Sequence, residues 1–75
     1  MRHYTVIVEY DPEADAHSVV VPILPGCTSQ GRTLEEALVN AREAIAGHIA
    51  ALRRMREPMP EEINPPQAIR IDVAA

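Results

Sequence analysis

Residues 22–37, PILPGCTSQGRTLEEA, constrain this chain more than any other stretch, because rare backbone punctuators stand there at close spacing. Pro25 fixes φ near the value a turn needs, and Gly26 supplies a conformation closed to residues with a Cβ. Thr33 followed three residues later by Glu36 reads as a capping box, with the Thr hydroxyl accepting the Glu36 amide and the Glu reaching back to the Thr33 amide. Such a cap contributes about 1 kcal/mol. The stretch therefore reads as a strand ending in a Pro-Gly turn, a short polar strand, a break at Gly31-Arg32 and the start of a helix.

The flanking sequence extends this frame. Residues 4–10 alternate, with Tyr4, Val6, Val8 and Tyr10 on one face and Thr5, Ile7 and Glu9 on the other, which predicts a strand. Residues 11–16 are polar and proline-bearing, the composition of a hairpin loop. A second strand is predicted over 17–24. Its run Val19-Val20-Val21 breaks alternation, so both faces are expected to be covered, one by the helix and one by a partner. A third, short strand is expected over 28–30, and the helix over 34 to about 54.

Leu34, Leu38, Ala41, Ile45, Ile49 and Leu52 form one stripe on that helix, expected to face the sheet. Glu35 and Glu36 in the first turn and Arg53 and Arg54 in the last both suit the helix dipole. A small-residue strip of Val39, Ala46 and Ala50, with Gly47 beside it, has two readings. It reflects helix propensity, or it is a close helix–helix contact in an oligomer. Four prolines between residues 56 and 66 exclude regular structure there. Residues 68–73 alternate again, with Ile69, Ile71 and Val73 against Ala68, Arg70 and Asp72, and predict a last strand. The residues thus specify the order β-β-β-α-β, and the expectation is one domain over 1–75, α+β in class, with a mainly antiparallel sheet and one helix packed on it in two layers.

Length and composition limit what such a domain can do. At 75 residues, with no Trp, no Phe and two Tyr, the core must be built from small aliphatic side chains. Chains of this size often need a partner subunit, so a homodimer or tetramer is expected. A net charge of -4 argues against direct binding to DNA and favours a basic partner. The single cysteine excludes an internal disulfide and fits a reducing compartment. No leader pattern and no long apolar run is present, so the expected location is the cytoplasm, away from any membrane.

Catalytic constellations are scarce. A two-metal nuclease needs several converging carboxylates. The candidates are Glu9 and Asp11 at the end of the first strand, Asp72 on the last, and Glu35 or Glu36 on the helix, of which Glu36 is already engaged in the cap. His3, His17 and His48 are too dispersed for metal-ligand spacing, and His48 reads as half-buried at the edge of the apolar stripe. Cys27 has no sequence-adjacent histidine and reads as a structural, partly buried thiol. Arg53, Arg54 and Arg56 lack the stacking aromatics of an RNA site and read as a solvated helix end. No cofactor or metal is implied, and the expectation is a protein that is not an enzyme.

The order of these features resembles the HicB antitoxin family, including its short stand-alone relatives. The resemblance rests on Tyr4, on Pro22, Leu24, Pro25, Gly26 and Cys27, on Gly31, Thr33, Glu35, Glu36 and Ala37, and on Pro60 at a later turn. Ile23 stands where the family commonly carries an acidic residue. The resemblance implies a partial RNase H-like fold with strand order 3-2-1-4, the last strand lying beside the first. It also implies a non-catalytic binding protein that covers the active surface of a small basic RNA-cleaving toxin of the HicA type. The acidic candidates for that contact are Glu9, Asp11, Glu13 and Asp15. Full-length members add a C-terminal operator-binding region; this sequence stops at Ala75, so a domain without it is expected. The alternatives are a solitary homo-oligomer without a toxin partner, and a residual metal-dependent RNase H-like nuclease.

Overall fold

A computed structural model describes residues 2–75. Strands β1 (Ile7–Asp11), β2 (Ala16–Val20) and β3 (Thr28–Gly31) precede one long helix, α1 (Leu34–Arg54). The strands form an antiparallel sheet in the order β1-β2-β3, with Val8 opposite Val19 and Val19 opposite Ser29. That register turns Val6, Val8, Val19 and Gly31 toward the helix and Ile7, Glu9, Val20 and Thr28 away from it.

The expected punctuation is in place. β2 ends at Val20, earlier than its apolar run, because residues 21–27 fold into two consecutive turns. The Leu24 amide donates to the Val21 carbonyl and the Cys27 amide to the Leu24 carbonyl, both at 3.0 Å. Gly26 takes φ 82° at the third position of the second turn, the geometry that follows proline in a type II turn. Both Leu24 and Val21 are thereby driven inward and buried.

Thr33 caps α1: its hydroxyl accepts the Glu36 amide at 3.0 Å. The Glu36 carboxylate reaches back to the amide of Arg32 at 3.4 Å instead of the expected Thr33. At the other end Arg56 adopts φ 54°, its amide donates to the Arg53 carbonyl, and the Glu57 amide donates to the Leu52 carbonyl at 2.9 Å. These two bonds make a Schellman closure with an arginine in the place that glycine usually takes.

Two expectations are corrected. The helix stripe is rotated: Ala37 and Ala41 are buried and Ala44 packs on the core, whereas Leu34 and Leu38 are 47% and 40% exposed. The sheet lies under the alanine flank of α1 because β3 and β2 carry the helix, and small side chains let it approach. The last strand over 68–73 is not formed. Those residues make no ladder, and Ile69, Ile71 and Val73 are all exposed. Nothing covers Val20 from the outer face either, where it is 43% exposed within the single chain.

Gly31 and Gly47 offer opposite tests of this packing. A Cβ on Gly31 would lie 2.5 Å from the backbone nitrogen of Ala37, whereas one on Gly47 would meet nothing within 4 Å. Gly31→Ala is expected to lower stability by about 3 kcal/mol, the upper end of overpacking costs. Gly47→Ala should raise it by up to ~1 kcal/mol through helix propensity. Thermal melts followed by circular dichroism check both signs. A close helix–helix contact through Gly47 would reverse the second.

Candidate functional site: the acidic hairpin

The β1–β2 hairpin gathers the four acidic residues singled out from the sequence. Glu9, Asp11, Glu13 and Asp15 are all exposed, along the last residues of β1 and the loop that follows. Their arrangement follows from local hydrogen bonding. Asp11 accepts the Glu13 amide at 3.0 Å, an Asx turn that starts the loop. Asp15 closes it at φ 47°, a region aspartate and asparagine enter more readily than most residues. Its carboxylate accepts the Tyr10 hydroxyl at 2.9 Å, and the Tyr10 ring lies 4.9 Å from the ring of His17 on the facing strand. The loop is therefore held from both sides while its carboxylates stay in water.

This geometry also marks Tyr10. The hydrogen bond to Asp15, with the negative charges of Asp15 and Asp11 adding to it, holds the Tyr10 phenol above its ordinary pKa. The other residues of interest lie elsewhere. His17 lies with its Nδ1 3.2 Å from the Arg32 carbonyl, and His48 is half-buried on α1. Cys27 is buried behind the Pro-Gly turn, and desolvation raises its thiol pKa, which disfavours the nucleophilic thiolate. Val39, Ala46, Gly47 and Ala50 are all exposed on the helix flank away from the core. Asp72 is exposed in the segment without regular structure. Among the described residues no group of three or more His, Cys, Asp or Glu side chains is placed to share a metal ion.

Sequence reasoning missed a second cluster at the head of β1. The Tyr4 hydroxyl donates to the Pro60 carbonyl at 3.0 Å, and the Thr5 amide donates to a Glu62 carboxylate oxygen at 2.6 Å. The Thr5 hydroxyl donates to the other oxygen of the same carboxylate. The proline-rich segment after α1 is thus clamped to the entry of the first strand. The proline spacing marked that turn, but nothing local to Glu62 pointed to Thr5.

Comparison with known proteins settles the family. The profile of the HicB-like antitoxin of bacterial toxin–antitoxin systems matches residues 4–71. The chain belongs to the HicB-like antitoxin family. It is 46% identical over 59 residues to a UPF0150 protein of Thermoplasma acidophilum, covering 79% of this chain and 84% of that protein. Against a UPF0150 protein of Synechocystis it is 42% identical over 60 residues, 80% of this chain and 75% of that one. The crystal structure of the N-terminal domain of the Burkholderia pseudomallei antitoxin HicB superposes with a TM-score of 0.66 at 36% identity, covering 73% of this chain and 64% of that one. Residues 4–71, the span of the family profile, include the hairpin and the Tyr4–Pro60 clamp. No helix among the described residues is long and apolar enough to cross a membrane.

The Tyr10–Asp15 contact has a pH signature. Its contribution to hairpin stability is present in full below the ordinary tyrosine range and is lost as pH rises through the raised pKa of Tyr10. In Asp15→Asn the acceptor remains but the charge is gone, so the Tyr10 midpoint is expected to fall. Alkaline titration of phenolate absorbance, with Tyr4→Phe removing the other signal, measures the shift.

Proposed function

We propose that this domain is a non-catalytic, antitoxin-like cover that binds a small basic toxin of the HicA type and occludes its RNA-binding surface. Membership of the HicB-like antitoxin family supplies the class of partner. The observation that carries the reading is the acidic hairpin, where residues 9–15 hold four carboxylates and no arginine, all of them solvated. Exposed charge of one sign at the rim of a binding surface steers an oppositely charged partner and fixes its orientation more than it adds contact energy. The working place of such a pair is the cytoplasm, where the toxin's RNA substrates are, and no direct contact with DNA is required of this domain.

The test is a binding measurement with a basic HicA-type protein encoded beside this one. The triple variant Asp11→Asn, Glu13→Gln, Asp15→Asn keeps the hydrogen-bond acceptors of the loop and removes its charge. Association is expected to slow by about tenfold or more, with most of its salt dependence lost, while dissociation changes little. A wild-type protein that forms no complex, or a triple variant that associates as fast as wild type, contradicts the reading.

A further inference from the structure

Along α1, beside residues 2–6, positive charge surrounds an apolar floor. Two adjoining hollows of about 340 and 420 Å³ run between those residues and the helix. Leu38, Ile45 and Ile49 line them, the first 40% exposed and the other two half-buried. Arg2, from the chain leading into β1, and Arg42, from α1, stand in the walls of both hollows. Arg53 borders the second, about 16 Å along the helix from Arg42.

Charge is sorted at this trough. Three of the seven arginines line it, whereas none of the eleven Asp and Glu side chains, all among the described residues, does so. In a chain of net charge -4 the trough is a positive island, and its occupant has to carry negative charge as well as apolar surface. The net charge opposes an anionic membrane, and a concave trough does not fit a flat one. An extended peptide would need main-chain partners, and the Thr5 amide at this end of the sheet is already taken by Glu62. Small-molecule sites, by contrast, are concave and mostly apolar, with a few charged groups that fix orientation.

We infer that the trough binds a single-chain anionic amphiphile of the fatty-carboxylate kind. Its head lies between Arg2 and Arg42, and its tail runs over Ile45 and Ile49 toward Arg53. Each guanidinium presents a planar fork that matches a carboxylate in two parallel bonds. The Arg53 stem covers the end of the tail while its charge stays in water. The aliphatic floor supplies apolar burial that the folded chain leaves undone.

The probe is dodecanoate below its micelle concentration, followed by calorimetry and by the methyl resonances of Leu38, Ile45 and Ile49. Saturable one-to-one binding is expected, with those methyl groups shifting and the acidic hairpin unmoved. Uncharged dodecyl maltoside, which has the same tail, should bind about tenfold more weakly or worse. Arg42→Gln should cost dodecanoate about tenfold or more and leave dodecyl maltoside unchanged, while circular dichroism confirms the helix. Ala46 is exposed in the same wall, and Ala46→Glu places a carboxylate one turn from Arg42, which should abolish dodecanoate binding. A wild-type chain that does not bind dodecanoate, or binds both amphiphiles alike, overturns the inference, and so does an Arg42→Gln variant of unchanged affinity. The hairpin lies at the other end of β1, so toxin binding is read separately and neither result decides the other.

Discussion

The approach of Gly31 to the first turn of α1 decides where everything else lies. With no side chain at Gly31, the backbone of Ala37 can come down onto the end of β3, a spacing that any Cβ would forbid. The cap at Thr33 and the Asn40–Gln30 bond hold the helix at that height. Val19, Ala37 and Ala41 then close into one small core, and Val21, Leu24 and Cys27 into another beside it. Small side chains are needed on the near flank of the helix because the two layers are so close.

That same contact leaves the domain lopsided. A helix drawn toward β3 and β2 cannot also shelter its far flank over β1, so the larger aliphatic residues end up half covered. The proline-rich segment does not return to cover them. It is pinned at Pro60 and Glu62 and then runs outward. A chain this short has little apolar surface to bury, so each half-covered aliphatic side chain on that flank lowers its stability. The acidic hairpin, at the other end of β1, takes no part in this packing and keeps its carboxylates hydrated.

How much of this was legible in the sequence depends on whether the cause was local. The Pro25-Gly26 turn, the Thr33 cap and the end of α1 all follow from residues acting on their neighbours, and the structure places them as expected. The acidic hairpin was legible for the same reason. The helix face was not: the apolar pattern shows which residues could be buried, but not which flank a three-stranded sheet would reach. Alanines 37, 41 and 44 carry little hydrophobic signal and became the core through proximity. Alternation in residues 68–73 suggested a strand that those residues do not form, and the bond from Thr5 to Glu62 spans most of the chain.

The central claim is that the contact of Gly31 with the first turn of α1 fixes the helix on β3 and β2 and leaves its flank beside β1 half covered. Amide hydrogen exchange on the wild-type chain and on Gly31→Ala tests it directly. The account predicts that β2, β3 and the first half of α1 are protected together in the wild type and lose that protection together in Gly31→Ala, while residues 68–73 exchange fast in both. Protection of β3 and α1 that Gly31→Ala leaves unchanged would contradict it.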